Sequence, residues 1–188
     1  MSSPANLIIM IESGDRDAIS AYFADQSARE CDGGAALVRA AQHGDLSIVS
    51  LLLALGVSVE GDADGQDRYP ILGASFFGRT DVVEYLCAHG ADVEAASPAG
   101  ERALYLAASE GRAAAAAVLI SHEAMIDAAN ARGVTPLAMA ARNGHTDVVK
   151  LLLAAGADRR KMDADGRTPA DRARTLKRDE CVRLLTEG

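Results

Sequence analysis

The chain is expected to fold as an all-α solenoid of stacked helix-turn-helix units joined by hairpin-like turns. Three observations predict this: a 33-residue repeat, paired glycines inside each repeat, and two apolar stripes at helical spacing around them. Gly133 recurs 33 residues on as Gly166 and 33 residues back as Gly100. Gly78, Gly111 and Gly144 keep the same step, and Gly44 lies 34 before Gly78, which points to one inserted residue near Gly61–Gln66. Gly44 to Gly56, Gly78 to Gly90 and Gly144 to Gly156 are each 12 apart.

Taken in order, residues 3–30 read as an N-terminal capping unit. Leu7, Ile8, Met10 and Ile11 precede Gly14, and Ile19, Tyr22 and Phe23 follow it, at the offsets of a helix pair. Gly33-Gly34 reads as a turn. Four repeats follow at 34–66, 67–99, 100–132 and 133–165. The last of these carries the clearest signals. Thr135 suits an N-cap and Pro136 the first helical position. Leu137, Ala140 and Ala141 share one face, and Gly144 suits a left-handed stop. Val148, Val149, Leu152 and Leu153 give the second stripe, which Gly156 ends. Residues 166–188 read as a C-terminal capping unit that opens at Thr168-Pro169, with Cys181, Val182 and Leu185 as its stripe. The basic residues around it, Arg172, Arg174, Lys177, Arg178 and Arg183, are expected to keep the open end solvated. The whole chain, 1–188, is one domain on this reading.

The unit at 100–132 breaks the pattern. Arg102-Ala103 replaces Thr-Pro, which removes an N-cap worth about 1 kcal/mol. Ala113 to Ala117 replace larger residues, and each missing CH₂ removes about 0.8 kcal/mol of burial. Glu123 stands where the other units have glycine. A drifted repeat and a soft joint both fit this unit.

The stretch Thr135–Asp158, TPLAMAARNGHTDVVKLLLAAGAD, closely resembles the ankyrin repeat, and degenerate copies flank it. The histidine that often follows Thr-Pro-Leu in that family is missing; Val38, Leu72, Tyr105, Ala138 and Asp171 hold its place. Apolar packing is therefore expected to replace its bonds between units. The resemblance implies a protein or peptide partner on a concave side built from turn tips and first helices. Carried over unit by unit, the tips are Gln66 and Arg68, Ala99 and Glu101, then Arg132 and Val134. The helix positions before each glycine are Gln42 and His43, Phe76 and Phe77, Ser109 and Glu110, then Arg142 and Asn143. Phe76 and Phe77 replace polar pairs, with Tyr69 nearby and Tyr105 one unit on, as in an aromatic hot spot. Phe76 fits either packing between repeats or presentation to a partner; Phe77 is expected to be exposed. Acidic residues around them, Glu60, Asp62, Asp64, Asp67, Glu101 and Glu110, suit a partner with an apolar anchor and basic flanks.

Composition bounds the function classes. The chain has 188 residues, 49% apolar, with few aromatics and no Trp. Its net charge is −8, with 15 acidic and 5 basic residues up to position 97 and 12 acidic and 14 basic beyond it. The first half repels a phosphate backbone, so no nucleic-acid partner is expected. Cys31, Cys87 and Cys181 are odd in number and widely spaced, as free thiols in a cytoplasmic or nuclear protein. The apolar run Leu7–Ile11 is too short for a signal peptide or a membrane span. His43, His89, His122 and His145 are scattered; His89 and His122, 33 apart, are expected to form an exposed ladder rather than a metal site. DADGQD and DADGRT resemble the start of a calcium loop, but the twelfth position is Gly73 in one and Arg174 in the other, where glutamate is needed. They read as repeat turns. No nucleophile and base are paired, and no phosphate loop or cofactor motif occurs. The expectation is a non-enzymatic adaptor, inhibitor or regulatory subunit, a monomer by itself. A small-molecule or enzymatic groove would need clustered titratable residues; a self-associating structural role would show as a concentration-dependent mass.

Overall fold

The computed structural model describes the backbone of residues 4–24, 26–61 and 69–187, and the side chains of these except 4–6, 8 and 26–32. Among them are twelve helices and no strand beyond one isolated bridge, Ala96 to Arg102. Two helices, α1 (Pro4–Ser13) and α2 (Arg16–Tyr22), form the N-terminal cap. The pairs that follow are α3 (Gln26–His43) and α4 (Leu46–Ala54), α5 (Pro70–Phe77) and α6 (Thr80–Ala88), and α7 (Ala103–Ser109) and α8 (Ala113–Ser121). Next come α9 (Pro136–Asn143) and α10 (Thr146–Ala154), then α11 (Pro169–Thr175) and α12 (Asp179–Thr186).

The odd-numbered helices from α1 to α11 pack in sequence as one layer, and the even-numbered helices form the second. A helix pair two turns long cannot bury both faces alone, so each pair depends on its neighbours. One apolar cluster accordingly runs from Leu7 to Leu185 without a break. Ile19, Leu37, Leu52, Leu86, Leu119, Leu137 and Leu152 are fully enclosed in it.

The expected caps form at the clearest unit. Thr135 Oγ1 accepts a hydrogen bond from the Ala138 N–H at 3.2 Å, Pro136 opens α9, and Gly144 ends it at φ 87°. Thr168 and Asp171 make a reciprocal capping box at the start of α11. The expected turn at Gly33-Gly34 does not form. Both glycines lie inside α3, and neither has positive φ. Gly33 serves a close approach instead, since a Cβ there would sit 2.9 Å from Val57 Cγ2.

Hairpin-like tips recur with the repeat. The N–H groups of Ser97, Asn130 and Asp163 donate to the carbonyls of Glu101, Val134 and Arg167 at 3.0, 3.0 and 3.1 Å. Asn130 Oδ1 accepts from the N–H groups of Arg132 and Val134, and Asp163 Oδ1 from those of Asp165 and Arg167. DADGRT is thus a repeat turn, as its sequence suggested; DADGQD lies outside the described residues. Adjacent tips are joined by Ala131 N–H to Ala99 O at 2.9 Å and Ala164 N–H to Arg132 O at 3.0 Å.

Candidate functional site

Phe76 and Phe77 close α5, and both rings reach the surface, 37% and 43% exposed. They meet edge to face, with centroids 5.1 Å apart. Beside them Ser97, Pro98, Ala99 and Glu101 of the next tip, with Gln42, Leu72, Gly73 and Leu106, line an open groove of about 520 Å³. Gly73 lets the groove floor form, because a Cβ there would lie 2.7 Å from Gln42 Cγ. Two apolar rings, a proline and a flanking carboxylate give an apolar slot with an acidic edge. Two other hollows lack that combination. One of about 300 Å³ lies at His43, Arg79 and Asp81; one of about 660 Å³ lies under Met125 and Ile126, where Lys161 Nζ is held by the Asp127 carbonyl at 3.0 Å.

The other residues singled out from the sequence divide into three groups. Gln66 and Arg68, with Asp62, Asp64 and Asp67, lie outside the described residues. Tyr69 is half-buried against the core ahead of α5, Glu101 and Glu110 are half-buried, Arg132 is exposed on a tip, and Arg142 is half-buried on α9. Tyr105 corrects the expectation of a surface contact. Tyr105 is 3% exposed, packs against Val134 and Ala138, and its hydroxyl accepts a bond from Asn130 Nδ2 at 3.2 Å. Its ring stands at the position of the missing histidine and ties a helix to the following tip. Asn143 Nδ2 donates to the Ser109 carbonyl at 2.8 Å, so its amide joins two units. Val134, expected at a tip surface, is buried with Tyr105.

Apolar packing is not the only substitute for the absent histidines. Arg79 Nε donates to the Gln42 carbonyl at 2.9 Å, Arg112 Nε to Phe76 at 3.2 Å, His145 Nε2 to Ser109 at 2.9 Å, and Arg178 Nε to Arg142 at 3.4 Å. Each donor follows the residue that ends a first helix and reaches the last turn of the preceding first helix, whose carbonyls lack intrahelical partners. A cation there also opposes the negative helix end. The signal was in the sequence: a basic residue at 79, 112, 145 and 178, each 33 apart. A second ladder runs through the loops. Glu60 Oε1 accepts from Asp92 N–H at 2.7 Å, Glu94 Oε1 from Met125 N–H at 2.8 Å, and Asp127 from Asp158 N–H at 3.1 Å.

Of the basic cluster at the C-terminus, Arg174, Lys177, Arg178 and Arg183 are exposed as expected, and Arg172 is largely covered. Arg172 pairs with Asp163, Arg174 with Asp171 and Arg183 with Glu180. Burial pushes the Asp163 carboxyl up, but hydrogen bonds from Arg167, Arg172 and Asp165 outweigh it and hold the group below the usual carboxylate range. The histidines do not stack into one ladder: His89 lies over the Tyr85 ring at 3.9 Å, while His122 reaches Glu84 at 3.1 Å. Among the described residues no three His, Cys, Asp or Glu side chains are placed to share a metal. Cys87 and Cys181 are free thiols, and burial, with the Glu84 charge, raises Cys87 to about 11. No helix among the described residues is long and apolar enough to cross a membrane.

Comparison with known families agrees with this geometry. A family model described as ankyrin repeats, in three copies, matches the chain in overlapping stretches at 7–97, 37–130, 74–163 and 104–188. Comparison with curated proteins finds no match.

Proposed function

The chain belongs to the ankyrin-repeat family, and on that premise we propose that it holds a protein or peptide partner in the groove beside Phe76 and Phe77. Ankyrin repeats generally mediate protein–protein interactions and are typically non-enzymatic. The observation that carries the reading is the pair of exposed phenylalanines at positions where other units have polar residues. An aromatic pair that stays exposed in the free protein gains burial when a side chain enters the groove, and a few such residues supply most of an interface's energy. Glu101 and Glu110 near the slot favour a partner whose apolar anchor is flanked by Lys or Arg. The role is that of an adaptor, inhibitor or regulatory subunit, monomeric by itself. Free thiols suit a cytoplasmic or nuclear setting.

Selection from a displayed library of random twelve-residue peptides tests the reading. Wild-type protein is expected to retain peptides with one apolar residue next to basic ones. Phe76→Ser/Phe77→Ser, verified as folded by circular dichroism, is expected to bind them about 30-fold more weakly, the equivalent of about 2 kcal/mol. Equal binding by both proteins removes the phenylalanines from the site.

A further inference from the structure

The same face changes character along the array. Phe76, Ser109 and Arg142 hold one helix position in three successive units, each 33 residues apart. Ala99 and Arg132 hold one tip position, also 33 apart. The row therefore runs from apolar at Phe76 and Ala99 to cationic at Arg132 and Arg142.

The two cations are not consumed by the fold. Arg102, Arg172, Arg174 and Arg183 each face a carboxylate, and Arg79, Arg112 and Arg178 hold carbonyls of the preceding unit. Arg132 is exposed and Arg142 half-buried, and neither forms an ion pair among the described residues. Asp165, on the next tip, is exposed and pairs with neither. Tyr105 lies between the two ends of the row. Burial pushes its phenol up and the Glu101 charge adds to that, while the charges of Arg132, Arg172 and Arg142 oppose it.

We propose that the partner is a bipolar peptide segment, whose apolar anchor with basic flank enters the Phe76/Phe77 groove while a carboxylate further along it is held by Arg132 and Arg142. This rests on the groove being the anchor site. Spacing fixes the ligand further. Packed helices lie about 10 Å apart, so two units separate Phe76 from Arg142 by about 20 Å. An extended peptide rises about 3.3 Å per residue, so the acidic residue falls about six positions from the anchor. The arginine pair matches a carboxylate through forked N–H donors. The charge order also gives direction: a segment entered backwards puts acid against Glu101 and base against arginine.

The library selection above reads this directly. Wild-type protein is expected to enrich Asp or Glu about six positions from the apolar anchor. The variant Arg132→Glu/Arg142→Glu, with helicity and melting temperature unchanged, is expected to keep the anchor preference and lose the acidic one. Recovered peptides are expected to bind it at least tenfold more weakly. On wild-type protein, the same peptides with their acids replaced by Lys are expected to lose affinity equally, a measurement that needs no variant. Anchored peptides with no acidic enrichment, or unchanged binding to the charge-reversed variant, overturn the bipolar ligand and leave the groove standing. Acid-bearing peptides that bind Phe76→Ser/Phe77→Ser undiminished overturn the groove instead. Recovery of no peptide counts against both.

Discussion

The units at 100–132 and 133–165 share a length and a helix plan but are secured by different means. The second begins with a capping threonine and a proline, fills its outer helix with Val148 and Val149, and ends on Gly156 at φ 93°. The first begins at Arg102, which has no side-chain cap bond, fills the matching places with Ala115 and Ala116, and ends on Glu123 at φ 63°. Both alanines are nonetheless fully buried. What the weaker unit lacks locally it takes from its neighbours. Arg112 reaches back to Phe76, His145 and Asn143 reach back to Ser109, and Glu94 holds the Met125 N–H. In a stacked array the interfaces between units carry much of the stability, so a unit with poor local signals keeps its register.

The largest test of that comparison concerns the left-handed positions. Gly111 has φ 69°, and a Cβ there would meet His145 Nδ1 at 2.5 Å; Gly156 has the same handedness with open space around it. Gly111→Ala is expected to cost about 3 kcal/mol, combining backbone strain with displacement of the next unit's side chain. Gly156→Ala is expected to cost about 1 kcal/mol, backbone strain alone. Equal costs in urea denaturation would show that the ladder contributes nothing. The distinction also explains which positions tolerate other residues. Glu123 stands at the open class, and Lys177, at φ 55°, ends a first helix with no later unit packed on it among the described residues.

Packing of the outer helices gives the next test. Val149→Ala in α10 is expected to lose about 2 kcal/mol through lost burial and a cavity. Ala116→Val in α8 is expected to lose about 1 to 2 kcal/mol by overpacking, because α6 and α10 already close around the alanine. A stabilised Ala116→Val would mean that the unit is underfilled and is the soft joint its sequence permits. A smaller effect is expected of Glu123→Gly, a gain of about 0.5 to 1 kcal/mol as strain is relieved and offset by chain entropy. Amide exchange in wild-type protein is expected to protect Ala103–Ser121 as well as Pro136–Ala154; faster exchange confined to the first stretch would again mark a joint.

Acid titration separates the two tips. Asn130 and Asp163 do the same work, but only the aspartate titrates. Its pKa is lowered in the fold, so its contribution is complete above the unfolded carboxylate value of about 4 and is lost as pH falls through the folded value. Asp171, held low first by the Thr168 hydroxyl and N–H bonds, follows the same sign. Melting curves from pH 6 to pH 2 are expected to show early loss at α11 and α12, with the Asn130 tip unaffected. An Asp163→Asn variant with an unchanged pH profile would remove that residue from the acid response.

Periodicity alone determined the repeat, its 33-residue step, the caps at Thr135 and Thr168 and the stripes that became the core, because these follow from helical geometry within one unit. The exposed phenylalanines were legible as a departure from the polar pattern, although their exposure was left open for Phe76. Tertiary structure decided the rest. Gly33-Gly34 reads as a turn by composition, yet both lie within a helix, and Val57 of the loop after α4 packs where a side chain at 33 would stand. Tyr105 reads as a surface residue by register, yet its ring is buried against Val134 and Ala138 of the next unit and its hydroxyl meets Asn130, while the Asn143 amide bonds the Ser109 carbonyl one unit back. Unpaired buried polar groups are costly, and the groups that satisfy them here are about 25 to 36 residues distant in the chain, beyond the reach of any pattern confined to one helix.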